Sequence, residues 1–155
     1  MDLALWELLS YVVTVVGLPF AAIVFLLQQR KQRENEEEAV YELLSEHYQD
    51  FLKVGLENSD LQLFAEEPTE NLTEEQQQRM IIIFSMLVSL FERAYLLLYE
   101  KRMSAKQKRL WLSWEDYMRE WCNRADFREM LPDLLFGEDD DFQKYIRTLA
   151  RIHNA

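Results

Sequence analysis

The chain has 155 residues, a net charge of −11, and only 3 glycines and 3 prolines, a shortage of turn formers that suits long helices and argues against a many-turned β fold. Its single cysteine, Cys122, excludes an intrachain disulfide framework and a multi-cysteine zinc site. The acidity is concentrated in residues 34–79, where 14 acids meet only Lys53 and Arg79, a balance that argues against nucleic acid as a partner because a polyanion needs a basic surface.

Residues 1–7, MDLALWE, are expected to form a short extracytoplasmic N-terminus. Leu8 to Leu27, LLSYVVTVVGLPFAAIVFLL, carries no charge over 20 residues, enough to cross a bilayer core of about 30 Å as one helix. A cleaved signal peptide normally has a basic leader and a shorter apolar core; neither is found here, so the stretch reads as a retained anchor. Arg30, Lys31 and Arg33 follow the span directly, while Asp2 and Glu7 precede it. That asymmetry predicts an inner or plasma membrane location with the C-terminal side cytoplasmic. Ser10, Thr14, Gly17 and Ala21 are spaced four, three and four apart, so small residues share one helical face where another helix could approach. These four residues are the candidates for self-association through the span, and Pro19 is expected to bend the helix near them.

Residues 28–39 read as a charged stalk that continues the helix, since QQRKQRENEEEAV is rich in helix formers and lacks glycine and proline. Glu34, Glu36, Glu37 and Glu38 point in different directions on a helix and cannot converge on one metal ion. From Val40 onward, apolar residues recur at helical spacing through Leu43, Leu44, Tyr48, Phe51, Leu52 and Val54. His47 falls on that stripe and reads as a core histidine rather than a ligand. Gly55 to Asn71 is the loosest stretch, with Leu61, Leu63 and Phe64 expected to pin it to the core and Pro68 to break any helix.

Thr73 with Gln76 forms a capping-box pattern and predicts a helix opening at Glu74. Its apolar run, Met80 to Phe91, invites a second-span reading. Twelve residues make only about 18 Å of helix, and extending the run to Tyr99 would place Glu92 and Arg93 in lipid. A central core helix accounts for the same residues. Ser104 with Gln107 repeats the capping box ahead of a stripe formed by Leu110, Trp111, Trp114, Tyr117, Met118 and Trp121, read as core. The basic group Lys101, Arg102, Lys106, Lys108 and Arg109 is expected to pair with the acidic segment. Asn123 to Asp126 reads as a turn, with Asp126 capping a short helix that Pro132 interrupts. Asp139, Asp140 and Asp141 suit the positive end of a last helix, whose stripe is Phe142, Tyr145, Ile146, Leu149 and Ile152. The triplet lacks the alternating ligands and terminal Glu of a calcium-binding loop.

The sequence contains no glycine-rich phosphate loop, no zinc-protease motif and no nucleophile elbow. No catalytic, cofactor-binding or metal-ligating residue is therefore expected, and no cofactor. Cys122 reads as a buried thiol.

The span followed by QQRKQRENEE, then Trp111-Leu-Ser-Trp114-Glu-Asp-Tyr117 with Trp121 and Asp126-Phe-Arg128, resembles an uncharacterised bacterial family of small single-pass membrane proteins. Members join one N-terminal span to a charged stalk and a small helical domain. The resemblance covers most of the chain and carries no functional residue across. It implies an association with phage-defence or stress effectors by analogy only.

The fold expected is all-α, with one N-terminal transmembrane helix (8–27) continuing into a stalk (28–39) and a cytoplasmic bundle of about four helices (40–155). The function expected is a non-enzymatic interaction or sensor module that engages the lipid bilayer and an unidentified protein partner. An oligomerising membrane effector, homo-oligomeric through the span, is the alternative, and a membrane-proximal enzyme without a sequence motif is the third.

Overall fold

The computed structural model describes residues 3–65 and 67–152, with side chains described for residues 15, 17–65 and 67–151. The described residues form five α-helices: α1 (Leu3–Glu57), α2 (Glu74–Leu98), α3 (Ala105–Cys122), α4 (Ala125–Leu134) and α5 (Asp140–Ile152). No strand occurs among them. The chain divides into two compact units, Met1–Ala39 and Val40–Ala155.

The first unit consists of the N-terminal part of α1. The helix runs through residues 28–39 without a break, as the composition of that stretch predicts, and Pro19 lies inside it. Seven large apolar residues, Val15, Leu18, Phe20, Ile23, Phe25, Leu26 and Leu27, are 56–68% exposed. The expected span 8–27 lies partly outside the described side chains.

The second unit closes around a core built from the last turns of α1 and from α2 to α5. By length and composition alone, α2 is long and apolar enough to cross a membrane. Its neighbours cover most of that apolar run, while Ile81, Ile82 and Met86 stay 46–59% exposed. Met80, Ile83, Phe84, Leu87, Val88, Leu90, Phe91 and Ala94 are buried, packed with Trp114, Met118, Phe127, Phe142 and Ile146 from the surrounding helices and with Leu135 just past α4. The apolar run thus turns one broad face inward, as a core helix requires.

Local chemistry sets the helix starts. Thr73 Oγ1 accepts the Gln76 backbone N–H at 3.2 Å, and Gln76 Oε1 accepts that of Thr73 at 2.9 Å. Ser104 and Gln107 repeat this exchange at the start of α3. Each box satisfies two donors that a helix start would leave bare. Asp139 Oδ1 does the same for α5, accepting from Asp141 and Phe142.

Four expectations change in detail. The loose stretch begins later, because α1 continues past Gly55 to Glu57. A β-carbon on Gly55 would lie 2.5 Å from Cε2 of Phe64, so glycine there lets the loop ring sit close to the helix. Leu61 and Leu63 are buried but Phe64 is 53% exposed, and its ring meets Trp121 in a T-shaped contact at 5.6 Å. Helix α4 begins at Ala125, with Arg124 rather than Asp126 at its cap position. Asp126 is drawn into the first turn because its carboxylate is held by Arg124. Pro132 lies within α4 rather than interrupting it, and beyond it the Leu135 N–H reaches the Leu131 carbonyl at 3.1 Å.

Candidate functional site

In the second unit, α1 contributes Ser45, Tyr48, Gln49 and Leu52, spaced to share one helical face. Helix α3 contributes Tyr117, Glu120 and Trp121 with similar spacing. These two faces and the loop residues Leu63, Phe64 and Ala65 enclose a cavity of about 770 Å3, with Asn123 and Arg124 completing its wall.

The cavity wall is aromatic. Tyr48 and Tyr117 stack with ring centroids 4.3 Å apart and planes 22° from parallel. Trp121 meets Phe64 edge-on at 5.6 Å and Phe51 at 5.5 Å. Its indole Nε1 donates to the Tyr48 hydroxyl at 3.3 Å. Burial is the main influence raising the Tyr48 phenol above its usual range, so the ring stays neutral at physiological pH.

Arg124 is 5% exposed and builds the cavity rather than serving it. Its Nε and Nη2 donate to the two Asp126 oxygens at 3.0 and 2.6 Å. Its Nη1 reaches the Gln62, Leu63 and Ala65 carbonyls at 3.0, 2.9 and 2.8 Å. A buried guanidinium is tolerated when its charge is paired and its donors are occupied. Arg124 therefore stitches the 62–65 loop to the start of α4 and fixes one cavity wall.

A second ion pair holds the other end of this connection. Arg79 Nη2 contacts Asp60 Oδ2 at 2.6 Å, its Nη1 reaches Asn58 Oδ1 at 2.8 Å, and Gln76 Nε2 adds a bond to Asp60 at 3.0 Å. The Arg79 hydrogen bond, seconded by Gln76, lowers the Asp60 carboxyl to about 2.

On another side of the unit, Glu92 of α2 and Glu138 lie against each other. Ser89 Oγ donates to Glu138 at 3.2 Å, and the Asp139 backbone N–H donates to Glu92. Burial first, then the Glu92 carboxylate, raises the Glu138 carboxyl to about 7. The pair closes the turn at Gly137, whose φ of +93° suits glycine. Tyr145 donates to Glu115, which also pairs with Arg119, and accepts from Trp111 Nε1 at 3.1 Å.

The sequence candidates lie elsewhere. Arg30, Lys31 and Arg33 are exposed on the first unit, as are Gly17 and Ala21. Ser10 and Thr14 belong to the expected association seam, but their side chains lie outside the described residues. His47 is half-buried at the edge of a shallower groove of about 300 Å3, beside Asp50, Met86 and Arg93, rather than in the core. Cys122 is fully buried, and burial pushes its thiol up to about 12. Tyr117 and Trp121 were visible in the aromatic stripe, yet nothing local paired them with Tyr48, Gln49 or the 63–65 loop.

No family model, curated protein or solved structure matches this chain.

Proposed function

We propose that the chain is a membrane-tethered helical interaction module without catalytic activity, anchored through residues 8–27 in an inner or plasma membrane. The reading rests on the seven large apolar residues between Val15 and Leu27 that are 56–68% exposed. An apolar surface of this extent marks a membrane or protein contact. The uncharged stretch around it has the length to span a bilayer core of about 30 Å. Arg30, Lys31 and Arg33, exposed just after it, support a cytoplasmic second unit by the positive-inside rule. The aromatic cavity supports binding, since recognition sites are concave and largely apolar with a few convergent polar groups.

Alkaline carbonate extraction of membranes carrying the full chain, followed by external protease on intact cells, tests the reading. The protein is expected to stay in the membrane pellet, with residues 40–155 protected. Release into the soluble fraction, or digestion of that unit from outside, would overturn it.

A further inference from the structure

We propose that the cavity between α1 and α3 receives a lysine or arginine side chain of a partner polypeptide. This inference rests on the interaction-module reading and names the chemistry of its partner.

The wall chemistry selects the sign of the charge. Tyr117, partly exposed and stacked on the buried Tyr48, brings an electron-rich ring to the cavity beside Trp121, and an accessible ring face attracts a cation within about 6 Å of its centroid. Glu120 is the carboxylate among the lining residues. It is exposed and forms no ion pair among the described residues, so it is available at the rim. Arg124, the lining cation, is turned away from any guest, with its donors committed to Asp126 and three carbonyls. An anionic guest would thus find no free cation and would meet Glu120. A neutral apolar guest would leave that carboxylate and the Gln49 and Asn123 amides unused.

Size and surroundings fit a polypeptide better than a lone ion. A cavity of about 770 Å3 exceeds what one ammonium group fills, leaving room for the aliphatic stem and adjoining backbone. The α1 face belongs to residues 34–79, with 14 acids against 2 bases. That excess draws a basic segment toward the site and disfavours an acidic one.

The test follows the Trp121 indole N–H resonance of nitrogen-15-labelled full chain in detergent micelles, assigned with Trp121→Phe. Three probes are titrated to tens of millimolar: Nα-acetyl-lysine methylamide, its Nε-acetylated neutral form, and choline. The lysine probe is expected to shift the resonance saturably, with the neutral form at least tenfold weaker. Glu120→Gln, an exposed substitution that leaves the fold intact, should weaken the lysine probe about three- to fivefold, the scale of one exposed charge pair. Equal response to the neutral probe, no response to the lysine probe, or an unchanged affinity in Glu120→Gln would overturn the proposal. Tighter binding of choline than of lysine would also overturn it and point to a lipid headgroup. The titration needs no membrane, so it can fail while carbonate extraction succeeds, and the reverse.

Discussion

In the first unit, α1 leaves Val15, Leu18, Phe20, Ile23, Phe25, Leu26 and Leu27 exposed; in the second, α2 buries Met80, Ile83, Phe84, Leu87, Val88, Leu90, Phe91 and Ala94. Both stretches are strongly apolar, and length and composition alone pass α2 as a candidate span. The arrangement of polar residues separates them. Along α2, Gln78, Ser85, Ser89 and Arg93 share the exposed side with Ile81, Ile82, Met86, Leu96 and Leu97, so polar groups and one charge interrupt its outward apolar surface. Residues 8–27 contain no charged residue. Two helices of similar hydropathy can thus need different surroundings.

The strongest way to break this contrast is to truncate one ring in each region. Phe84→Ala should lower the unfolding free energy by about 3–5 kcal/mol, the cost of emptying a buried phenylalanine site. Phe20→Ala should stay within about 0.5 kcal/mol, as exposed positions usually do. Urea unfolding of the full chain in micelles, followed by tryptophan emission, measures both. Similar costs for the two would mean that the α1 face has a protein partner and that the contrast is mistaken.

A somewhat smaller effect is expected from charge inside the closed unit. Arg124→Ala strands the Asp126 carboxylate and uncaps three loop carbonyls. Removing one partner of a buried pair costs about 3 kcal/mol at the low end of its range, which suits a carboxylate that is 14% exposed. Limited proteolysis should then cut near residues 62–65 in the variant and spare the parent chain. Equal resistance in both would remove Arg124 from its role as the loop's anchor.

The smallest effect sharpens the contrast through pH. Glu138 in the second unit has its carboxyl raised to about 7 from 4.5 by burial and by Glu92. The folded state therefore holds this proton more tightly than the unfolded chain does. Its stabilising contribution is complete below the unfolded value and is lost as pH rises through the folded one. Stability should fall between about pH 4.5 and 7, and Glu138→Gln should flatten that slope. Asp60, lowered to about 2, acts with the opposite sign at more acidic pH. Parallel pH profiles of the urea midpoint for parent and variant would sink the assignment.

What could be read in the sequence is what neighbours in sequence determine. The capping boxes at Thr73 and Ser104 need residues three apart, and both form as expected. The continuation of α1 through residues 28–39 follows from composition, and Trp111, Trp114, Met118 and Trp121 are buried as their spacing predicts. The cavity was hidden because its walls come from two helices and a loop. Arg124 looked like a turn residue, since its carbonyl acceptors lie about 60 positions upstream. Glu92 and Glu138 gave no signal either, because only the turn at Gly137 brings them together. Phe64 looked like a loop anchor, and sequence alone could not show that its ring, close against Gly55, stays half outside.

Cys122, the chain's single cysteine, gives the molecule an internal clock. Its sulfur is shielded from solvent and its thiolate is suppressed by burial, and alkylating reagents attack only the accessible thiolate. Labelling must wait for the surrounding helices to part. At low reagent its rate gives the equilibrium between closed and open forms, and at high reagent the opening rate itself. The native sequence thus reports how often this unit breathes, with no engineered probe.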